Sequence, residues 1–553
     1  MTASPAPAPK AGKREHWSGQ TAFILAAIGS AVGLGNIWRF PGEAFDNGGG
    51  AFMIPYLVAL LTAGLPLLFL ENGIGHRFRG SAPLSMRRAT RSGRGRGGEG
   101  VGWWQVGVCF VIGLYYTAVI AWAASYLWFS LDLSYAEDPA GFFTEQYLQL
   151  SEPGTVSLQL VPGVLWPLVG VWLVAIIVLA LGVAGGVEKL NLVGIPLLVV
   201  TFIILAARAL TLDGAMDGVE ALFTPDFDAL TDPQVWIAAY GQVFFSLSLA
   251  YGAMMTYASY RRRRSNITTP ALVVAFGNSS FSLLAGLAVF AALGFLATQQ
   301  GVPVAEMGNI AGPNLSFISF PAVIAQMPGG TFFGVVFFAG LVIAGLTSLV
   351  SILQTISAAL QDKFGWNPRV SAVVLGLVSM VLSAMGFATT TSLFLLDVVD
   401  QWSNQLGIIA GAVGMIVASL WVGRRGTELR RHLSAVSTFK LGRSWLVIVS
   451  AVTLLLIYML VSKAVTLIAD GYEGYPTWYI VVFGWGTVAL LGLVGLVGSL
   501  TRWRRDIVHY VVWPSREQLG LAPEPATASA LRSDTETPRQ ADATPEPRTE
   551  EPS

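Results

Sequence analysis

Long apolar segments separated by short polar ones repeat along almost the whole chain. A helix needs about 20 apolar residues to cross the hydrocarbon of a bilayer, and twelve stretches of the sequence meet this requirement. They lie near residues 20–43, 51–76, 102–131, 163–181, 187–211, 234–260, 268–298, 329–361, 369–390, 393–422, 444–467 and 475–501. The pattern therefore predicts an all-α polytopic membrane protein with twelve transmembrane helices.

Basic residues collect in every second connecting segment. Arginines follow the second predicted span, and four consecutive arginines at 261–264 follow the sixth. Segments 132–162 and 212–233, in contrast, are acidic and contain no lysine or arginine. Because short loops rich in Lys and Arg stay in the cytoplasm, we expect a multi-pass protein of the plasma membrane with both termini cytoplasmic.

The composition narrows the class of protein. Hydrophobic residues make up 54% of the 553 positions and charged residues 12%, about half the charged share of a soluble domain. Thirty-three basic residues balance thirty-three acidic ones, so the net charge indicates no nucleic-acid partner. The single cysteine excludes an internal disulfide framework, and the four histidines form no metal-binding motif. We therefore expect a membrane protein that is not an enzyme.

Two of the predicted spans are interrupted near their middle by residues that weaken a helix. Span 1 contains GSAVGLGN at residues 29–36, and span 6 contains SLSLAYG at residues 246–252. Either segment alone is explained equally well by a close helix contact through small residues. Unpaired backbone at membrane depth is otherwise tolerated only where it lines a cavity. Breaks at corresponding positions of two five-span halves favour an inverted-repeat transporter that binds its ligands in mid-membrane.

This interpretation divides the chain into five parts. Residues 14–211 would form the first repeat with spans 1–5, 212–422 the second with spans 6–10, and 423–505 would hold spans 11 and 12. Residues 1–13 and 506–553 contain many proline and polar residues. Such segments bury too little apolar surface to fold, so we expect a disordered N-terminal tail and a mostly disordered C-terminal tail.

Unwound backbone suits a particular kind of ligand. Freed carbonyls can bind a bare cation, and the N-terminal end of a half-helix offers N–H groups to a carboxylate. A zwitterionic amino acid together with Na⁺ needs both. Arg39, Glu71 and Asp400 are ionisable residues inside predicted spans, where such groups are costly and commonly functional. The alternative for Arg39 is that its side chain only reaches the outer membrane interface.

Several runs of residues closely resemble one family of membrane proteins. They are REHW at 14–17, AVGLGNIWRFP at 31–41, NGGGAF at 47–52, TYASY at 256–260 and AGLTS at 344–348. These runs are typical of the neurotransmitter:sodium symporter family, and the resemblance covers about residues 14–505. It implies the leucine-transporter-type fold, a 5+5 inverted repeat followed by two C-terminal helices. It also implies sodium-coupled symport by alternating access.

The resemblance implies two sodium sites built from oxygen ligands. The first would use Ala31, Asn36, Ser246 and Asn278. The second would use Gly29, Val32, Ala344, Thr347 and Ser348. Carbonyl, amide and hydroxyl oxygens of this kind suit a hard alkali cation.

The resemblance also implies an amino-acid site between the two breaks. Its residues would be Ala31, Leu34, Gly35, Ile112, Tyr116, Phe245, Ser246, Ser248, Tyr251, Ser348 and Ile352. Monoamine carriers of the family have an aspartate at the position of Gly33, so glycine favours a substrate that brings its own carboxylate. The uncharged pocket favours a neutral, hydrophobic side chain. Ala250, where relatives commonly have glycine, leaves open which amino acid fits.

The source of negative charge beside two Na⁺ has two alternatives. Many bacterial relatives have a carboxylate four residues after the sodium-binding asparagine of span 7, and this chain has Ser282 there. A chloride site would then consist of hydroxyl and amide groups from Tyr56, Gln242, Ser246, Asn278 and Ser282. The resemblance thus implies chloride dependence, with Glu71 as the alternative source of charge.

Residues at both ends of the site resemble the gates of this family. Arg39 and Asp400 would close the outer side above Tyr116 and Phe245. The cytoplasmic side would be closed by Arg14, Trp17, Tyr260 and Asp362. Gly186 and Pro196 match a motif whose helix unwinds to release the inner sodium ion.

The runs FILAAIGSA at 23–31 and GHRFRGSAPL at 75–84 look most like bacterial methionine/alanine importers of the family. Some of these importers work with a small single-span companion subunit. We therefore expect a methionine- or alanine-like substrate and the lipid bilayer as partners, and no nucleic acid. The alternatives are a proton-coupled amino-acid carrier, which would need Glu71 in place of a sodium ligand, and a non-transporting amino-acid sensor.

Overall fold

The computed structural model describes residues 15–90, 95–307, 312–504, 510 and 512–522. In these ranges the chain is helical, with isolated β-bridges but no strand. The main helices are α1 Gln20–Ala31, α2 Gly35–Asp46, α3 Gly50–Phe78, α4 Ala82–Ala89, α5 Gly95–Phe129, α6 Pro162–Ala180, α7 Val183–Ala209, α8 Ala215–Phe223, α9 Pro233–Ser246, α10 Ala253–Ser259, α11 Thr268–Gln300, α12 Phe320–Gln326, α13 Gly330–Phe364, α14 Pro368–Phe387, α15 Ser392–Val422, α16 Gly426–Val436, α17 Ser444–Ala469 and α18 Thr477–Leu500.

Ten of these helices are long and apolar enough to cross a membrane within the described residues. The pair α1 and α2, bent by 53° at its break, makes an eleventh span. Segment 233–259 consists of two shorter helices, α9 and α10, and counting it as one broken span brings the total to twelve. The all-α polytopic fold is thus confirmed. The boundaries of the two repeats stay a prediction.

The connecting segments lie on two faces of opposite chemical character. On one face a β-bridge joins Gly49 to Pro225, and another joins Leu160 to Thr389. Segments 130–161, 210–232 and 470–476 carry thirteen Asp and Glu residues and no Lys or Arg. We call this the acidic face. The opposite face, called the basic face, carries the arginines of segments 77–88, 261–264 and 424–431.

The helices that contain the breaks lie inside the bundle. Helix α1 packs against α7, α11 and α13, and α9 and α10, on either side of the second break, both pack against α3, with α10 also against α13. Apolar side chains of α6, α7, α14, α17 and α18 are exposed on the outside, where a bilayer would cover them. The breaks are therefore surrounded by protein, which is where unpaired backbone groups are tolerated.

The chain separates into two compact units, one ending at Trp513 and one beginning at Pro514. In the second unit, the described residues form a turn in which the Leu519 amide donates to the Ser515 carbonyl over 3.1 Å. The predicted N-terminal tail and residues 523–553 of the predicted C-terminal tail lie outside the described residues.

Candidate functional site

The first break leaves backbone groups of residues 32–34 outside any helix. The Gly33 amide donates to Oδ1 of Asn36 over 3.0 Å, and the Leu34 amide donates to the Tyr116 hydroxyl on α5 over 3.2 Å. Ser348 on α13 donates to the carbonyls of Gly29 and Val32, each over 3.1 Å. Side chains from other helices thus replace the hydrogen bonds that the helix gives up here.

The second break, residues 247–252, interrupts the helix through left-handed conformations at Ser248, Ala250 and Gly252, with φ of 49°, 64° and 74°. The Ser248 hydroxyl donates to the Ser30 carbonyl over 2.9 Å and ties this break to the first. The Ala250 amide donates to the Glu71 carboxylate. The two breaks therefore form one unit, supported by α3.

Asparagine and serine side chains bring the predicted first sodium site together. Asn36 donates to Oδ1 of Asn278 over 2.9 Å. In this orientation Oδ1 of Asn278 also lies 3.2 Å from the carbonyl oxygens of Ala31 and Ser246. Turning the amide around would let its nitrogen donate to both carbonyls instead. Facing oxygens without a hydrogen between them repel, so a cation among them would select the first orientation.

The predicted second site appears as two groups of oxygen atoms. Gly29, Val32 and Ser348 form one group through the hydrogen bonds given above. In the other, the Thr347 hydroxyl donates to the Ala344 carbonyl on its own helix over 3.0 Å. All five oxygens come from α1, its break and α13, which pack against each other. Within the described residues, no group of three His, Cys, Asp or Glu offers an alternative metal site.

A cavity of about 740 Å³ opens from the breaks towards the acidic face. Ten of the eleven predicted substrate residues line it, namely Ala31, Gly35, Ile112, Tyr116, Phe245, Ser246, Ser248, Tyr251, Ser348 and Ile352. Leu34 contributes through its backbone amide. A Cβ atom on Gly33 would lie 2.8 Å from both the Tyr116 and the Ser348 hydroxyl oxygens. Glycine at this position therefore keeps the break in contact with α5 and α13.

The predicted anion-site residues lie close together. Ser279, which was not predicted, lies beside them. The Tyr56 hydroxyl lies 3.0 Å from the Ser279 hydroxyl, and Asn36 donates to the Ser282 hydroxyl over 2.7 Å. Gln242 is fully buried, and neither of its side-chain polar atoms has a partner within the described part of the chain. An orphaned buried amide fits an absent ligand or water.

The basic-face end of the site is closed. The Trp17 indole donates to the Tyr257 carbonyl over 2.9 Å and packs edge-on against Tyr260. Asp362 accepts from the Ser81 amide over 2.8 Å. Burial, which penalises the charged form, lowers the pKa of the neighbouring Arg261 to about 10. Arg14, the fourth predicted residue of this gate, lies outside the described residues.

At the acidic-face end, the structure does not bring the predicted gate pair together. Arg39 and Asp400 line the same cavity, but the ion pair of Arg39 is with Glu43, with Nε and Oε1 3.2 Å apart. The cavity is consequently open on this side. Sequence reasoning missed Glu43, although its spacing of four residues from Arg39 on a helix was a usable signal.

Three other contacts of the site were not predicted from the sequence. The Cys109 thiol donates to the Tyr251 carbonyl in the second break over 3.3 Å. Gln354 donates to the Tyr260 hydroxyl over 3.1 Å. The Asn191 amide of α7 packs against Gly29 so closely that a Cβ there would overlap it. None of these residues belongs to a motif, and their roles depend on helices far apart in sequence.

Two interrupted helices that face each other inside a bundle of membrane spans define a secondary transporter with discontinuous helices. The family model of the sodium:neurotransmitter symporter family matches residues 14–139 and 132–504, and the chain belongs to this family. It is accordingly a sodium-dependent, multi-pass membrane symporter and not an enzyme.

Relatives and a solved structure support this identification over most of the chain. An uncharacterized sodium-dependent transporter of Methanocaldococcus jannaschii is 38% identical over 491 residues, which is 88% of this chain and 97% of that protein. The sodium- and chloride-dependent GABA transporter 2 of Mus musculus is 28% identical over 551 residues, 92% of this chain and 89% of that protein. The crystal structure of MhsT in complex with L-phenylalanine matches with a TM-score of 0.68 and 30% identity, covering 81% of this chain and all of that one.

Proposed function

We propose that this protein imports a neutral, hydrophobic amino acid together with Na⁺. The observation that carries the proposal is the glycine at position 33, flanked by the Leu34 amide and the Tyr116 hydroxyl. This arrangement offers N–H and O–H donors to a carboxylate and no acidic side chain to an amine. The MhsT structure, which holds L-phenylalanine, supports a substrate of this class. Methionine- or alanine-like side chains are the expected ligands.

Two sodium ions would bind beside the substrate in this proposal. The first would lie among the oxygens of Ala31, Ser246, Asn36 and Asn278, next to the substrate carboxylate. The second would join α1 to α13 through Gly29, Val32, Ala344, Thr347 and Ser348. Because the second ion would hold α1 against α13, its release towards the basic face would let α1 move and open that side.

The sodium gradient supplies enough free energy for concentrative uptake. Each charge entering across 100 mV releases about 2.3 kcal/mol, and each tenfold concentration ratio about 1.4 kcal/mol. Two Na⁺ ions could thus provide roughly 7 kcal/mol. Chloride carried in the same direction would subtract part of the electrical contribution.

Chloride is the anion that we propose to balance the two sodium charges. The buried Gln242, whose side chain has no partner in the described part of the chain, and the cluster of Tyr56, Ser279 and Ser282 hydroxyls support an anion site. Glu71 is the less suitable source of this negative charge, because its carboxylate already accepts the Ala250 amide in the second break. Uptake should therefore fall at least severalfold when gluconate replaces chloride. Unchanged uptake would reject the anion site.

A binding screen of purified protein tests the substrate proposal. We expect methionine, alanine or another neutral apolar amino acid to raise the melting temperature in NaCl and not in choline chloride. Charged amino acids should have no effect in either salt. If no neutral amino acid stabilises the protein in sodium, the assignment is wrong. Equal effects without sodium would favour the proton-coupled alternative. In that case the proton would be carried by the Glu71 oxygen that has no hydrogen-bond partner among the described residues.

We also propose that the transporter works with a small single-span companion subunit. It follows from the resemblance to methionine/alanine importers described above. Reconstituting the purified chain alone in vesicles is the test, because full uptake activity in that preparation would show that no companion is needed.

A further inference from the structure

Arg39 is held by a residue of its own helix on the wall of the open cavity. Its Nε lies 3.2 Å from Oε1 of Glu43, one turn further along α2. Its Cζ lies 4.9 Å from the centre of the Phe245 ring, which forms part of the substrate pocket. Both charged side chains remain partly exposed to the cavity, at 20% and 25%. Glu43 therefore keeps the guanidinium turned along α2.

Asp400 faces the same cavity from α15. The groups around its carboxylate are Tyr115, Asn404 and, at a longer range, Arg39. Within the described ranges, no ion pair shorter than 4.0 Å reaches Asp400. The carboxylate thus has polar neighbours in the open cavity, while the nearest cation is engaged by Glu43.

Lys463 adds a second cation to this wall. It lines the cavity from α17, and its ammonium group is close enough to Arg39 and Glu43 to interact electrostatically with both. The cavity lining thus contains two cations, Arg39 and Lys463, among the carboxylates of Glu43, Asp46, Asp397, Asp400 and Glu473. Glu43 pairs with Arg39 and interacts with Lys463 at longer range, and Arg39 interacts with Asp400 at longer range. A movement of α2 can therefore exchange these partners.

We propose that Glu43 and Lys463 form an exchange pair that sets how readily the outer side of the transporter closes. In the open cavity Glu43 holds Arg39. When α2 moves towards α15, Arg39 passes to Asp400, and Glu43 passes to Lys463. Closure removes water, and a carboxylate buried without a cation is costly, so Glu43 needs this second partner. The inference rests on the proposed function, in which the acidic-face cavity is the substrate entrance.

The proposed exchange predicts opposite effects for substitutions of Glu43 and Lys463, whereas a purely structural role of these residues would not. Glu43→Gln removes the 3.2 Å pair with Arg39 of the open state and spares closure the burial of a carboxylate. We expect this to outweigh the lost contact with Lys463, so the substitution favours the closed state. Lys463→Gln leaves Glu43 without a partner on closure and favours the open state. Partly exposed ion pairs shift such equilibria by about two- to fivefold. The two substitutions therefore act in opposite directions, and the double variant should behave like Glu43→Gln, because Lys463 acts through Glu43.

Chemical labelling of a cysteine in the cavity tests this. Gln401→Cys places a thiol on α15 at the cavity wall, and the native Cys109 is buried. The full-length protein is purified in NaCl without amino acid, and a neutral thiol reagent measures the open fraction by its reaction rate. We expect Glu43→Gln to slow labelling about two- to fivefold, and Lys463→Gln to accelerate it.

Asp46→Asn is the matched control. Asp46 belongs to the same helix, lines the same cavity and carries the same charge, but within the described residues the ion pair of Arg39 is with Glu43. The Asp46 carboxylate repels that of Glu43, and this repulsion acts whether Glu43 pairs with Arg39 or with Lys463. Its substitution should therefore leave the labelling rate within the error of the parent. Equal slowing by Asp46→Asn, a shared direction for Glu43→Gln and Lys463→Gln, or unchanged rates would each overturn the proposal. Since labelling needs no substrate, failure of the amino-acid assignment is recognised separately, by absent stabilisation in the binding screen.

Discussion

Single residues determine how closely helices approach the first break. Gly33 lets the hydroxyls of Tyr116 and Ser348 come within 2.8 Å of the position that a Cβ would occupy. Those hydroxyls in turn hold the Leu34 amide and the carbonyls of Gly29 and Val32. A single methyl group at position 33 would therefore disturb the substrate cradle and the second cation site together.

Gly33→Ala should weaken amino-acid binding about tenfold or more, because overpacking a site costs about 1–3 kcal/mol. The measurement is the amino-acid concentration needed for half-maximal thermal stabilisation in NaCl. Gly241→Ala on α9 is the control, since nothing lies within 4 Å of its Cβ position. Equal affinities for the two variants would contradict the proposed cradle.

Residues named by a motif could be predicted from the sequence, whereas residues placed only by packing could not. Seven of the eleven predicted substrate residues belong to spans 1 and 6, and the structure places ten of the eleven around one cavity. Their role in binding stays a prediction. Glu43, Cys109 and Ser279 were missed. An acidic residue one turn after an arginine looks the same in sequence on any helix, and only the packing of α2 against the cavity gives Glu43 its role.

At the level of elements, a buried ion cluster joins four helices at the basic face. The Lys363 ammonium pairs with Glu99, donates to the Gly498 carbonyl over 2.9 Å and lies 4.4 Å from the Trp503 ring centre. Arg87 on α4 pairs with the other oxygen of Glu99. The cluster fixes α4, α5 and α18 to the end of α13, directly beside the gate residue Asp362.

Glu99→Gln should destabilise the protein by about 3–5 kcal/mol, because it leaves a fully buried lysine without its carboxylate. Thermal unfolding in detergent measures the loss. Arg87→Gln serves for comparison, since Arg87 is partly exposed. Its substitution should lower the free energy of unfolding by about 1 kcal/mol or less. The cluster has no such role if both variants melt at the same temperature.

The helices themselves were largely predictable, since apolar length alone defines a membrane span. Each predicted span overlaps a helix or broken helix of the structure, and both breaks lie where glycine and small polar residues interrupt the pattern. The π-helical turns at Leu60–Gly64 and Ser403–Ile408 were not predicted. They depend on how neighbouring helices pack, which hydropathy does not encode.

For the molecule as a whole, the two faces determine its orientation in the membrane. The cavity opens at the acidic face, whereas the basic face is closed by Trp17, Tyr260 and Asp362. Because short loops rich in arginine stay in the cytoplasm, we infer that the acidic face lies outside. The structure would then be an outward-open state.

Thiol labelling of intact cells tests this orientation. Thr155→Cys on the acidic face should react with a membrane-impermeant reagent, since Thr155 is exposed. Lys440→Cys, exposed on the opposite face, should react only after the cells are permeabilised. The reverse pattern would show that the chain is inserted the other way round.

The thirteen carboxylates of the acidic-face segments, with no lysine or arginine among them, also affect the solution next to the entrance. Such a surface attracts a counter-ion cloud and raises the local concentration of small cations. At physiological ionic strength this field decays over about 8 Å. Adding choline gluconate at constant sodium and chloride should therefore weaken the apparent sodium affinity, as inert cations dilute sodium within the cloud. Anions would be depleted in the same layer, so chloride would reach its site more slowly than sodium.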